Sequence, residues 1–87
     1  MYKILYKKSV EKDLRKLPKS VLKQIVKKIQ ALAKNPQPNG SVKLRGATNL
    51  YRIRHTDYRI IYNFKGDELV IFVIKVAHRK DVYRRDF

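Results

Sequence analysis

The pattern of hydrophobic and polar residues shows three mainly apolar runs between positions 50 and 83. The runs are rich in β-branched and aromatic side chains, and two turn signals, Thr56-Asp57 and Gly66-Asp67, separate them. Short strands of this composition joined by tight turns are typical of antiparallel hairpins. The pattern predicts a three-stranded antiparallel meander. Its last strand, 68–77, is apolar on both faces and should lie inside the sheet.

The first half of the chain predicts one strand and two helices. Residues 2–6 form a short apolar run, which indicates an N-terminal strand. Ser9 is the expected N-cap of a first helix, and Pro18 should end it. Between residues 19 and 34 the apolar positions form one helical stripe, with the lysines mostly elsewhere. A basic amphipathic helix can also lie on a membrane, but the sheet needs this stripe to cover it.

Together these elements predict an α+β fold in a single domain, 1–87. We expect a small antiparallel sheet, made of the N-terminal strand and the meander, packed against an N-terminal helical hairpin.

The first turn predicts a cluster of arginines. If Thr56 and Asp57 form the loop, Arg54 lies directly opposite Arg59, and Arg52 shares their face because side chains alternate with period two. Like charges placed opposite each other destabilise a sheet, so this arrangement indicates an anion-binding patch. The alternative is that these arginines are merely solvated.

The second turn is less well defined by the sequence. A two-residue Gly66-Asp67 turn would pair Lys65 with Glu68, whose opposite charges favour that register. A three-residue loop that contains Gly66 is the alternative.

Charge narrows the classes of partner. The chain of 87 residues has 22 Lys and Arg against 7 Asp and Glu, a formal net charge of +15. Such an excess attracts polyanions: nucleic acid, an acidic protein or anionic lipid. The absence of cysteine excludes disulfides, a thiolate nucleophile and a cysteine zinc site. No apolar run predicts a signal peptide or a membrane span, so we expect a soluble cytoplasmic protein.

Two further segments carry candidate RNA contacts. Lys43 and Arg45 precede the meander, where they either reach phosphate or are ordinary loop charges. The tail brings Arg79, Tyr83 and Arg84 close together in the sequence. Its alternative interpretation is a basic C-terminal turn that packs apolar residues on the sheet.

In order and spacing, several motifs resemble the RelE toxin family of prokaryotic toxin–antitoxin modules. The resemblance covers nearly the whole chain. Its motifs are Lys-Leu-Arg-Gly at 43–46, Tyr-Arg-Ile-Arg at 51–54, Asp-Tyr-Arg-Ile-Ile-Tyr at 57–62 and Val-Ala-His-Arg-Lys-Asp-Val-Tyr-Arg at 76–84.

The resemblance implies ribosome-dependent cleavage of mRNA in the ribosomal A site, by attack of a 2′-hydroxyl on the neighbouring phosphate. It implies no metal or cofactor, and a RelB-like antitoxin as the protein partner. By position, the family's functional residues fall on Arg52, Arg54, Arg59, Arg79 and Tyr83. The family's first-strand pair is often lysine, whereas both residues are arginine here. The segment between Arg79 and Tyr83 is also shorter than in some members.

Arginine suits one part of this chemistry. Its planar fork matches phosphate oxygens and stays charged, so it stabilises developing negative charge but shuttles protons poorly. The base must then be another residue. We favour Tyr83, as base or as a stacking platform, because neighbouring arginines favour a phenolate. His78 adjoins Arg79 and is the alternative, while His55 flanks the first turn as a solvated loop residue.

Two rival functions remain open. A ParE-like protein would share the fold and poison DNA gyrase instead of cutting RNA. A non-catalytic basic RNA- or DNA-binding module would show salt-dependent binding and no cleaved product.

Overall fold

The structure, a computed structural model, describes residues 1–46 and 48–81. Two helices and a five-stranded sheet follow in chain order: β1 (Lys3–Tyr6), α1 (Lys8–Arg15), α2 (Lys19–Ala31), β2 (Val42–Lys43), β3 (Leu50–His55), β4 (Tyr58–Phe64) and β5 (Val70–His78). The strand order across the sheet is β1-β5-β4-β3-β2. The predicted α+β class is confirmed, and so is the meander β3-β4-β5.

The sheet differs from the prediction in two respects. It is mixed, because β1 pairs with β5 in parallel, and it contains the short extra strand β2 at its other edge. Parallel neighbours need a long crossover connection, which the two helices and the meander provide here. The N-terminal strand pairs with the last strand in the chain, so the local pattern could not reveal its direction.

The sequence predicted the first turn of the meander more accurately than the second. The first is confirmed: His55 pairs with Tyr58, and Thr56 takes a positive φ of 53°. At the second, the Glu68 backbone N–H donates to the Lys65 carbonyl at 3.2 Å, and the two side chains form an ion pair of 3.3 Å.

The predicted Lys65–Glu68 strand pair is nevertheless wrong. Pairing of β4 with β5 starts at Phe64 and Ile71, so Lys65 and Glu68 close a turn outside the ladder. Ile71 is fully buried and Phe64 packs against the same core. The burial of these side chains determines the register, since a slip by one residue would turn them to the other face.

The helix boundaries differ slightly from those expected. Helix α1 begins at Lys8, with Lys7 at the N-cap position, so the predicted Ser9 cap is wrong. Pro18 occupies the N-cap of α2, where its lack of an N–H costs nothing.

The core lies between the helices and one face of the sheet, here called the covered face. Its buried members are Val10, Ile25, Ile29, Leu32, Ile53, Ile60, Tyr62, Ile71, Val73 and Val76. The opposite, open face carries Arg52, Arg54 and Arg59 by alternation along β3 and β4. It also carries Leu5 and Phe72, which are 43% and 38% exposed.

An irregularity in β5 brings α1 against the sheet. Ile61 pairs with Lys75 and Tyr62 with Val73, so one extra residue bulges out between them. Strand β1 pairs with β5 only as far as Val73, and α1 follows beyond it. There the Asp13 carboxylate accepts from the Val76 backbone N–H at 3.3 Å and lies 3.7 Å from the Lys75 ammonium. Asp13 therefore takes the place of a missing neighbouring strand.

Within the described ranges, no helix is long and apolar enough to cross a membrane.

Candidate nucleic-acid interface

The β3–β4 hairpin places two arginines side by side on the open face. Arg54 pairs directly with Arg59, as the sequence predicted. On its other side Arg59 pairs with Ala77 of β5. Arg52 lies on the same face, two positions further from the turn. Directly opposite residues on one face have Cβ atoms about 5 Å apart, so the two charges share one small area.

The guanidinium of Arg59 is held by the turn itself. Its Nη1 donates to the carbonyl oxygens of Thr56 at 3.2 Å and Tyr58 at 3.1 Å. This side chain is half-buried, whereas Arg54 is exposed. The turn therefore fixes the direction in which the Arg59 charge points.

Arg79 reaches the same turn from the end of β5. Its backbone N–H donates to the Asp57 carbonyl at 2.6 Å, and its Nε lies 3.8 Å from Asp57 Oδ1. The structure thus brings Arg54, Arg59 and Arg79 to one end of the sheet around residues 56 and 57. We call these three residues the arginine cluster.

The cluster has the electrostatic character of an anion site. Arginine stays protonated at any physiological pH, so its charge cannot be relieved by losing a proton. Charges of the same sign at directly paired positions of a sheet repel each other, and a bound oligoanion would relieve that repulsion. Phosphate is one of the anions whose oxygens this planar, multidentate donor set can bind in pairs.

His78 lies on the covered side and not with the cluster. Its ring packs edge-on against Tyr58, with ring centroids 5.6 Å apart, and its Nδ1 accepts from the Lys80 backbone N–H at 3.3 Å. It lines an open cleft of about 470 Å³ that also includes Asp13, Lys16 and Lys75. Arg54, Arg59 and Arg79 are not among the described residues that line this cleft.

His55 is more tightly held than the sequence suggested. It is the last residue of β3, and its Nε2 lies 2.6 Å from Gln24 Oε1 on α2. The expectation of a solvated loop histidine is therefore wrong.

Lys43 and Arg45 are not brought to the arginine cluster. Lys43 pairs with Tyr51, whose ring stacks on Tyr62 of the covered face. Arg45 follows β2 near the start of β3. Strand β3 rises by about 3.3 Å per residue, so its start lies about 16 Å from the turn at its far end. Tyr83 and Arg84 lie outside the described residues.

Two tyrosines, the buried Tyr62 and the partly exposed Tyr6, have perturbed acidity. Burial and, to a smaller extent, the nearby Tyr51 raise the pKa of Tyr62 to about 12, with a hydrogen bond to Ser41 acting in the opposite direction. Burial likewise raises the pKa of Tyr6. A higher pKa makes a phenol a poorer proton acceptor near neutral pH. Neither side chain therefore suits the role of base.

Sequence reasoning missed the part that Asp57 plays. It treated Asp57 only as a turn residue, whereas the structure shows that Asp57 contacts Arg79 through both its carbonyl and its carboxylate. The signal was present: one of only seven acidic residues adjoins the most arginine-rich hairpin.

No group of three or more His, Cys, Asp or Glu side chains that could hold a metal ion occurs in the part of the chain that the structure describes.

Comparison with known proteins gives a consistent result. The profile of the family described as the ParE toxin of the type II toxin–antitoxin system, parDE, matches residues 4–83. The mRNA interferase toxin RelE of Escherichia coli K12 is 35% identical over 71 residues, which are 79% of this chain and 74% of that protein. Toxin RelE3 of Methanocaldococcus jannaschii is 33% identical over 85 residues, 93% of this chain and 94% of the other.

Solved structures show the same similarity. The archaeal RelE–RelB complex from Pyrococcus horikoshii OT3 superposes with a TM-score of 0.79 and 32% identity, covering 90% of this chain and 94% of the other. The intact Escherichia coli RelBE toxin–antitoxin complex gives a TM-score of 0.78 and 30% identity, covering 90% and 96%.

Proposed function

Since the chain belongs to the family of ParE and RelE toxins of type II toxin–antitoxin systems, we propose that it is an mRNA interferase. In this proposal it is an endoribonuclease that cuts mRNA in the ribosomal A site and so stops translation. The observation that carries the proposal is the arginine cluster, at positions where the family resemblance places functional residues. A relative that is 35% identical is named an mRNA interferase.

The proposed reaction is an internal transfer at phosphorus. The 2′-oxygen of one nucleotide forms a bond to the adjacent phosphorus, and the bond from phosphorus to the 5′-oxygen of the next nucleotide breaks. The products are a cyclic phosphate and a free 5′-hydroxyl. A base takes the 2′-hydroxyl proton, and an acid returns a proton to the 5′-oxygen.

The arginine cluster has the electrostatic role in this scheme. Negative charge accumulates on the phosphoryl oxygens in the transition state, and fixed cations stabilise it most where they are already oriented. Arg59 and Arg79 are both held by the turn, and Arg54 lies opposite Arg59. We assign the phosphate to these three side chains.

The remaining candidates have other proposed roles. Tyr83 is the proposed base or stacking residue, supported by its position four residues after Arg79. Arg52 and Arg84 would contact the RNA backbone near the cut. Lys43, Arg45 and His78 would contact RNA or the ribosome away from the scissile phosphate.

We propose that no metal ion takes part. The support is electrostatic, because the guanidinium groups supply the cationic charge that a metal would otherwise bring. Sulfur substitution of a non-bridging oxygen at the cut site should slow cleavage. Thiophilic Mn²⁺ or Cd²⁺ should fail to restore the rate; restoration would indicate a metal bound to that oxygen.

A RelB-like antitoxin is the proposed partner, and the cytoplasm, where ribosomes work, is the proposed location. The net charge of +15 favours a protein with acidic residues, and the exposed Leu5 and Phe72 offer apolar area on the open face. The similar solved structures include complexes of RelE with RelB.

The test is a cell-free translation reaction with purified protein, in which new mRNA 5′ ends are mapped with and without ribosomes. The proposal expects cuts within A-site codons only when ribosomes are present. Cleavage of naked RNA at the same rate would contradict ribosome dependence, and intact mRNA would contradict the enzyme.

A gyrase poison is the second candidate function, because the matching family profile carries the ParE description. A gyrase poison would cause DNA breaks in cells that express the protein and would leave mRNA intact. Measuring both DNA breaks and mRNA cleavage therefore distinguishes the two functions.

A further inference from the structure

One carboxylate lies within the arginine cluster. Asp57 contacts Arg79 twice: its carbonyl accepts the Arg79 backbone N–H at 2.6 Å, and its Oδ1 lies 3.8 Å from Arg79 Nε. The same turn supplies the carbonyl of Thr56 to Arg59. Two residues of one turn therefore contact Arg59 of β4 and Arg79, which follows the end of β5.

The contact with the Asp57 carboxylate is made at the Nε atom of Arg79. A guanidinium has five N–H donors in a rigid fork. Asp57 approaches the Nε position, so this contact does not occupy the two terminal nitrogens. These two nitrogens form one of the paired edges that bind phosphate oxygens. Asp57 can therefore orient Arg79 without displacing the anion.

Stability does not account for this pair. The side chains of Arg79 and Asp57 are 59% and 62% exposed. Ion pairs as exposed as this one contribute little to folding, because water screens the charges and long side chains lose entropy. The backbone bond to the Asp57 carbonyl persists whatever side chain is present there. Loss of the carboxylate should therefore change the orientation of Arg79 and leave the fold unchanged.

We infer that Asp57 is a positioning residue for cleavage, an inference that rests on the proposed function. Its carboxylate restricts the Arg79 side chain so that the terminal nitrogens of the guanidinium point to the phosphate that Arg59 also contacts. Proper orientation before the reaction is worth large factors in rate, and small displacements are costly. Asp57 itself does not touch the RNA in this assignment.

A double-mutant cycle tests the inference. Single-turnover cleavage on programmed ribosomes is measured for the wild type, Asp57→Ala, Arg79→Ala and the double variant. We expect Asp57→Ala to slow cleavage by roughly five- to thirty-fold, with unchanged thermal unfolding. In the Arg79→Ala background the same change should have no further effect, because Asp57 acts through Arg79. Asp67→Ala, an exposed aspartate in the other turn of the meander, is the matched control and should cleave as the wild type does.

Two results would overturn the inference and leave the proposed function standing. One is wild-type cleavage by Asp57→Ala. The other is an equal loss from Asp57→Ala with and without Arg79, which would indicate that Asp57 acts by another route.

A second measurement needs no cleavage and so separates the two proposals. ¹⁵N relaxation of the Arg79 Nε–H group reports how restricted the side chain is in the purified protein. We expect Asp57→Ala to make this group clearly more mobile and Asp67→Ala to leave it unchanged. Equal mobility in the wild type and Asp57→Ala would contradict the positioning role, even if the wild type proved to cleave no mRNA.

Discussion

Arg59 and Ile60 are neighbours in β4, and their side chains lie on opposite faces of the sheet. Ile60 is fully buried between the sheet and the helices, whereas Arg59 points to the open face and its guanidinium folds over the turn. The covered face is built of apolar side chains that pack on α1 and α2, and the open face collects cations at one end. One strand thus carries the fold on one side and the proposed chemistry on the other.

The difference between the two faces shows how a small protein can keep arginines close together despite their mutual repulsion. Arg54 and Arg59 oppose each other across the hairpin, which costs stability. The register that forces them together is maintained from the other face by the burial of Ile53 and Ile60. Substitutions on the covered face should therefore affect the free energy of unfolding, and substitutions on the open face should affect cleavage.

The largest expected effect is that of Ile60→Ala. Deleting the buried side chain leaves a cavity, so the free energy of unfolding should fall by about 2–5 kcal/mol, as measured by urea denaturation. Ile60→Val, which removes one methylene, should cost only about 0.5–1.5 kcal/mol. Equal stability of Ile60→Ala and the wild type would mean that the covered face is not the core.

Arg59→Ala should show the reverse pattern. Removing one oriented cation from a transition state costs roughly 10²–10³ in rate, or about 2.7–4 kcal/mol. Cleavage should fall by that factor on ribosomes, while the midpoint of thermal unfolding stays close to that of the wild type. The control is Arg15→Ala, an exposed arginine on α1 that should retain full cleavage. If Arg59→Ala lost stability and activity together, this would contradict the claim that open-face substitutions affect cleavage and not folding.

Asp13→Ala should be destabilising by a smaller amount. It leaves the Val76 N–H without its carboxylate acceptor and the Lys75 ammonium without its counter-ion. Loss of a partner for a partly buried polar group costs about 1–3 kcal/mol. Chemical denaturation measures this, and Glu11→Ala is the control because Glu11 lies exposed on the same helix. A change of a few tenths of a kcal/mol would mean that Asp13 does not cap the edge of β5.

The smallest expected effect is that of Tyr62→Phe. It removes the hydrogen bond that the Tyr62 hydroxyl donates to the Pro36 carbonyl, at a cost of about 1 kcal/mol. Because burial raises the folded pKa of Tyr62 from its usual value of 10.0 to about 12, the protonated phenol contributes stability that is fully present below pH 10. That contribution is lost as the pH rises through 12.

Tyr62→Phe should therefore lose less stability than the wild type between pH 10 and pH 12. Parallel curves for the two proteins over that interval would show that Tyr62 does not titrate as the structure indicates.

Much of the fold could be predicted, because local patterns determine it. The Thr56-Asp57 turn and alternation along β3 and β4 were enough to place Arg54 opposite Arg59. The parallel pairing of β1 with β5 could not be predicted, since it depends on contacts between the two ends of the chain. The bulge in β5 and the capping by Asp13 likewise arise from tertiary packing.

The candidate site was predictable in part for the same reason. The hairpin arginines follow from register, whereas the attachment of Arg79 to Asp57 depends on where β5 ends beside the turn. His78 and Arg79 are adjacent in the sequence, yet the structure places His78 against Tyr58 on the covered side. Alternation of side chains along a strand accounts for this divergence but not for the cleft that His78 lines. The roles assigned to Tyr83 and Arg84 stay predictions.

The most direct test of the account is single-turnover mRNA cleavage on ribosomes by Arg54→Ala, Arg59→Ala and Arg79→Ala, each measured beside its thermal unfolding. If the cluster stabilises the transition state, each variant should lose at least about tenfold in rate, with the greatest loss at Arg59, while all three unfold near the wild-type temperature. Wild-type cleavage rates in all three variants would show that this end of the sheet is not where the phosphate reacts.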